Sequence, residues 1–140
     1  MARALGGVVV TDIDRAELGT LGLRLTHAGT HDPVFGPLGT PFLAQVGHQD
    51  IVDSLPSDAV LLASTDRVEN QAFRFAGKPI YCTQFHPELN VRGMKERLQA
   101  YPEYIEKIAG VPFDVFFKTL TETPETNTLL ARFVQEVFGD

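Results

Sequence analysis

The sequence predicts an α/β domain with strands first and helices last. Three observations predict it. From Val8 to Phe85, short β-compatible apolar runs alternate with Gly, Pro, Asn and Asp, as strands and turns require. After Asn90 the apolar spacing switches to that of a helix face. The 140 residues, 44% hydrophobic and 21% charged, suit one globular domain spanning the whole chain.

Met1–Leu5 followed by Gly6-Gly7 reads as the last turn of a helix and its stop signal. Strands are predicted at Val8–Val10, Leu18–Thr26, Phe42–Val46, Val60–Ser64, Gln71–Phe75 and Pro79–Phe85. Gly29, Asp32, Pro33, Gly36, Pro37 and Gly39 mark a loop between the second and third of these. Gln45–Asp50 and the segment to Pro56 read as a strand end running into a polar turn. Val91, Met94, Leu98 and Tyr101 fall on one helix face, with Asn90 as N-cap. Pro102 ends that helix and opens another that runs to Gly110. The last helix has Thr123 as cap, Pro124 at its first position and Gly139 as its stop. Leu129, Leu130, Phe133, Val134, Val137 and Phe138 form its apolar stripe.

Composition excludes several function classes. The net charge of −6 disfavours a phosphate backbone, so nucleic acid is not an expected partner. No apolar run approaches the roughly 20 residues that cross a bilayer, so no membrane partner is expected. Met1–Val10 lacks the pattern of a signal peptide, and a cytoplasmic protein is expected. A single cysteine, Cys82, excludes an internal disulfide and a multi-cysteine metal site. No cofactor and no metal are expected.

Four places could carry chemistry. In Tyr81–Leu89, an apolar strand ends in His86-Pro87-Glu88 just before a helix. Histidine is the side chain best suited to proton transfer near neutral pH, and a carboxylate two residues away can hold its tautomer. The alternative is a surface turn with an incidental His and Glu. Gly47-His48-Gln49-Asp50 gathers an imidazole, an amide and a carboxylate that could bind a polar substrate; the alternative is a turn capping a strand. His27 and His31 have a metal-binding helical spacing, but Gly29 and Asp32-Pro33 argue for a loop, where that spacing means little. Cys82 and His86 suggest a thiolate and its base. On one strand, however, they would stand roughly 13 Å apart along the axis, and a nucleophile must touch its base.

Together these segments resemble the class I (triad) glutamine amidotransferase domain, in its GMP synthase-like form. The resemblance rests on Gln84-Phe85-His86-Pro87-Glu88 and on Gly47-His48-Gln49-Asp50-Ile51-Val52 with Leu55-Pro56. Ala59–Ser64, Gln71-Ala72-Phe73, the opening Met1–Gly7 and the closing Thr123–Phe138 add to it. It implies a flavodoxin-like mixed sheet with C-terminal helices. It also implies an enzyme that hydrolyses the glutamine side-chain amide and supplies ammonia to a synthetase domain or subunit. In that family a cysteine attacks the amide, a histidine moves the protons and a glutamate orients the histidine. By position His86 resembles the base and Glu88 its orienting carboxylate. Gly47, His48 and Gln49 resemble the segment that contacts bound glutamine.

The departure from the family lies at the nucleophile. No Gly-x-Cys-x-Gly-His-Gln elbow occurs in the chain; Gly47-His48-Gln49 resembles only its tail, with Gln45 where a cysteine would stand. The chain is therefore expected to be the C-terminal part of such a domain, without the first strands or the elbow, and inactive alone. Three readings follow: a stretch of a longer glutaminase, a non-catalytic binding or regulatory module, or half of a split enzyme whose partner chain supplies the N-terminal half. A metal-dependent hydrolase using His27, His31 and His86 is the different-class alternative. Without its first strands the sheet is expected to have an unpaired edge and an uncovered face, which a partner would cover.

Overall fold

In the computed structural model, which describes residues 1–139, strands fill the chain as far as Thr83 and helices follow. The strands are β1 (Val8–Thr11), β2 (Glu17–Leu25), β3 (Phe42–His48), β4 (Asp50–Ser54), β5 (Ala59–Ser64), β6 (Ala72–Phe75) and β7 (Tyr81–Thr83). They make a two-stranded sheet, β1-β4, and a five-stranded sheet in the order β3-β2-β5-β6-β7.

The expected flavodoxin-like mixed sheet is corrected by these pairings. Every strand pair among the described residues is antiparallel. For β5-β6 and β6-β7 connection length is the physical reason: parallel neighbours need a crossover of about a dozen residues or more, whereas short turns join these two pairs. The segment expected as a polar turn after Gly47 is itself a strand, β4, which leaves β3 at Gln49 to pair with β1. Its Ile51 is buried while Asp50, Asp53 and Ser54 are exposed, so its polar composition masks it.

The loop between β2 and β3 is ordered around Asp32. One Asp32 carboxylate oxygen accepts from the Val34 and Phe35 amides, both at 3.0 Å. The other accepts from the Tyr81 hydroxyl at 3.1 Å and lies 3.1 Å from Arg74 Nε. That clamp drives Val34 and Phe35 into the main core with Leu23, Ala44, Val46, Leu62 and Phe85. Each such side chain contributes about 1.5–3 kcal/mol by leaving water. Where the sequence predicts only loop, the segment also holds one helical turn, α1 (His27–Thr30), capped by Thr26.

Helix α2 (Val91–Ala100) begins at Asn90, whose side chain accepts from the Gly93 amide at 2.8 Å. The next helical stretch widens into a π-turn over Ile105–Ala109 and stops at Gly110 in the left-handed region. A helix not expected from the sequence, α3 (Phe113–Phe117), follows. Met94, Leu98, Ile105 and Phe116 form a second core, with Leu18 of β2 packed against it. The last helix is two pieces, α4 (Pro124–Asn127) and α5 (Leu129–Phe138). The Thr123 side chain makes no cap bond, and Gly139 is extended rather than left-handed. The apolar stripe is real but mostly uncovered: Leu129 is buried, whereas Leu130, Val134 and Phe138 are 49%, 53% and 71% exposed. No helix among the described residues is long and apolar enough to cross a membrane.

Candidate functional site

The His86-Pro87-Glu88 turn is held from several sides. Val46 and Phe85 form a bridge between β3 and the chain leaving β7, and both side chains are buried. The next amide, of His86, donates to the Gln45 carbonyl at 2.8 Å. The Asn127 side chain then donates to the Pro87 and Leu89 carbonyls at 2.8 and 2.9 Å. The backbone of the turn is therefore tied to β3 on one side and α4 on the other.

On that frame His86 Nδ1 lies 2.7 Å from Glu88 Oε1. The His86 side chain is 20% exposed and that of Glu88 is 50% exposed. With the carboxylate on Nδ1, the neutral ring carries its proton there and presents Nε2 as a base. The pair has the relationship of a general base to its orienting carboxylate.

Gly47, His48 and Gln49 diverge. Side chains alternate along β3, so Gly47 and His48 take opposite faces, while Gln49 lies just past the strand's end. Gly47 opens onto a cavity of about 340 Å³ lined also by Leu18, Met94, Arg97 and Tyr104. Gln49 opens onto a smaller one beside the π-turn. His48 is committed inside the fold. Its Nε2 lies 3.2 Å from Glu17 Oε2 and 3.3 Å from Gln71 Nε2, and its Nδ1 is buried without a partner among the described residues. Gln71 Nε2 also bonds Glu17.

Cys82 lies in the middle of β7, opposite Phe73, and packs against the cluster of Ala2, Phe73 and Phe75. Burial pushes its thiol pKa up, which disfavours the nucleophilic thiolate. His27 and His31 do come together on α1, with ring centroids 4.6 Å apart. His31 Nδ1 is occupied by the His27 carbonyl at 2.9 Å, and no cluster of three or more His, Cys, Asp or Glu that could hold a metal occurs among the described residues.

Three contributors escape a reading of the sequence. Gln45 carries the His86 amide and donates its own side chain to the Thr121 carbonyl at 2.8 Å. Asn127 clamps the turn from a helix 40 residues away. Glu17 partners His48. Strand alternation is the one signal that turns His48 inward; nothing local in the sequence marks the other two.

Comparison with known proteins gives the chain's family and fold relatives. The family model for "Glutamine amidotransferase class-I" matches residues 1–100. The chain is 34% identical over 89 residues to a glutamine-hydrolyzing GMP synthase subunit from Methanopyrus kandleri, covering 64% of this chain and 46% of that one. It is 32% identical over 89 residues to the glutamine-hydrolyzing GMP synthase of Flavobacterium psychrophilum, covering 64% of this chain and 17% of that one. Its fold is similar to that of a glutamine amidotransferase from Thermotoga maritima, with TM-score 0.76 and 23% identity, covering 96% of this chain and 56% of that one. The chain thus spans half or less of the length of these curated relatives.

Proposed function

Because the chain belongs to the class-I glutamine amidotransferase family, we propose that it carries the proton-transfer half of a glutaminase site that supplies ammonia to a synthetase. The observation that carries this reading is the 2.7 Å contact between His86 Nδ1 and Glu88 on a turn clamped by Gln45 and Asn127. In this reading His86 takes the proton from an attacking thiol and returns it to the departing ammonia. The thioester so formed is then opened by water, with His86 as base again. Glu88 is a positioning residue that acts through His86. Gly47, His48 and Gln49 form the glutamine-facing end of β3, with His48 bracing it from behind. The acceptor of the ammonia is a synthetase domain or subunit, as the GMP synthase relatives suggest.

The thiolate in this reading comes from polypeptide outside this chain, whether in the same protein or in a second subunit. Cys82 is the chain's one cysteine, and its burial and its place on β7 suit packing rather than attack. The exposed stripe of α5 favours a partner over a free-standing binding module, since a repurposed module would have covered it.

The test is ammonia release from L-glutamine by the chain alone and after addition of a polypeptide bearing a family nucleophile elbow. Release is expected only in the mixture. His86→Ala should lower it by about 10²–10⁴-fold, and Cys82→Ser should spare it. Turnover by the chain alone that Cys82→Ser abolishes would overturn the reading.

A further inference from the structure

Glu88 is a half-exposed carboxylate that must point one way. Its one side-chain hydrogen bond among the described residues is to His86 Nδ1. A glutamate facing water has several rotamers open to it, and holding one costs entropy. The contact with His86 therefore depends on where the backbone aims the Glu88 side chain.

The two peptide units that flank the Glu88 Cα set that aim, because each residue has only two soft backbone angles. Both units are tied. The one before carries the Pro87 carbonyl, which accepts from Asn127 Nδ2 at 2.8 Å. The one after carries the Leu89 amide, which donates to the His86 carbonyl at 3.2 Å. The next unit returns to the same clamp: the Leu89 carbonyl accepts from Asn127 Nδ2 at 2.9 Å. A primary amide has two protons to donate, and Asn127 gives both to carbonyls on either side of Glu88.

Asn127 is itself anchored. Its backbone amide donates to the Thr123 carbonyl at 3.0 Å. Beside it the buried Thr126 hydroxyl donates to the Leu43 carbonyl of β3, and Leu129 packs into the main core. The Gln45 carbonyl that takes the His86 amide lies two residues further along β3. So β3, the His86 turn and α4 close a ring of contacts, in which Asn127 is the member that reaches the backbone around Glu88. Asn127 lies beyond residues 1–100, over which the family model matches.

We infer that Asn127 is a positioning residue of the site: it fixes the backbone from which Glu88 meets His86, and so sets the tautomer of the ring. Its catalytic consequence rests on the glutaminase reading; its effect on the ring does not.

The test is ring NMR of His86 in the full chain at about pH 8, where a free imidazole is neutral. Asn127→Asp keeps the shape but sets oxygens against both carbonyls. His86 should then move from the Nδ1-protonated to the Nε2-protonated form, as it should in Glu88→Ala. Asn127→Ser, which is uncharged and too short to span both carbonyls, should do the same. Unchanged amide signals from β2 and β5 check that each variant is folded. In the complemented mixture, Asn127→Ser should lower kcat by about 10–100-fold and leave KM for L-glutamine unchanged. Added to Glu88→Ala it should lower kcat no further, because it acts through Glu88. A ring that stays Nδ1-protonated in both variants would overturn the inference and leave the glutaminase reading intact. So would a further loss of kcat in the Glu88→Ala background, or loss of the fold in both variants, since either assigns Asn127 to stability alone. A wild-type mixture that releases no ammonia overturns the glutaminase reading instead, and the ring form still decides the role of Asn127.

Discussion

Glu17 and His48 face each other across β2 and β3 as cross-strand partners, His48 Nε2 3.2 Å from Glu17 Oε2, with both side chains at least nine-tenths buried. Gln71 donates to the same carboxylate. Replacing Glu17 by Leu removes the acceptor shared by His48 and Gln71 and leaves Gln71 only its longer contacts to Thr65 and His48. The variant should lose about 1–3 kcal/mol in urea unfolding, while Glu17→Gln, which keeps an acceptor, should lose less. A loss below about 0.5 kcal/mol for Leu would show that the pair does not hold this end of the sheet.

Gly29 explains why α1 can lie directly on β5. A Cβ there would stand 2.1 Å from the Leu62 carbonyl oxygen, a backbone atom that cannot swing away. Gly29→Ala should therefore cost about 2–3 kcal/mol, at the upper end of overpacking effects. Thermal unfolding of the variant checks this; an unchanged midpoint would mean that α1 and β5 are not in contact.

Much of this fold is legible in the sequence. Six of the seven strands follow from apolar runs between turn residues, and α2 follows from its cap and its face. β4 is hidden because its Asp50, Asp53 and Ser54 face water and leave only Ile51 and the half-buried Val52 as core signals. The sheet direction is misjudged because family resemblance suggests parallel neighbours, while the short links from β5 to β7 argue for hairpins. At the site, His86 and Glu88 lie two residues apart and can be paired by inspection. The Gln45 carbonyl and Asn127 act across long stretches of chain, which spacing does not reveal.

Tyr81 gives a pH signature for the Asp32 clamp. Burial, then the Asp32 charge, push its phenol pKa up to about 12. The folded state thus holds this proton more tightly than the unfolded chain, whose phenol ionises near the ordinary value of about 10. Its contribution to stability is complete below about pH 10 and is lost as pH rises through about 12. Tyr81→Phe should flatten the stability profile over that window and cost about 0.5–1.5 kcal/mol below it. Unfolding midpoints from about pH 9 to about pH 12 test both effects. A profile that keeps its slope in the variant would assign the titration to another group.

Cys82 should behave as a packing residue. Desolvation raises its pKa, so at about pH 8 it holds less thiolate than a free cysteine and should alkylate more slowly. Timed iodoacetamide labelling read by mass spectrometry checks this against the unfolded chain in urea. Labelling faster than in urea would mark an activated thiol and reopen Cys82 as a nucleophile.

His86 makes the sharpest prediction, because its geometry fixes a tautomer as well as a position. Glu88 accepts at Nδ1, so the neutral ring should carry its proton on Nδ1, the less common form in free imidazole side chains. Long-range proton–nitrogen NMR of the ring distinguishes the two forms directly. Glu88→Ala should return His86 to the Nε2-protonated form while leaving the turn in place, since Gln45 and Asn127 hold its backbone independently of the carboxylate. The same variant should lose ammonia release in the complemented mixture without losing L-glutamine binding. An Nε2-protonated ring in the unaltered chain would mean that Glu88 merely neighbours His86, and the site would lose its base.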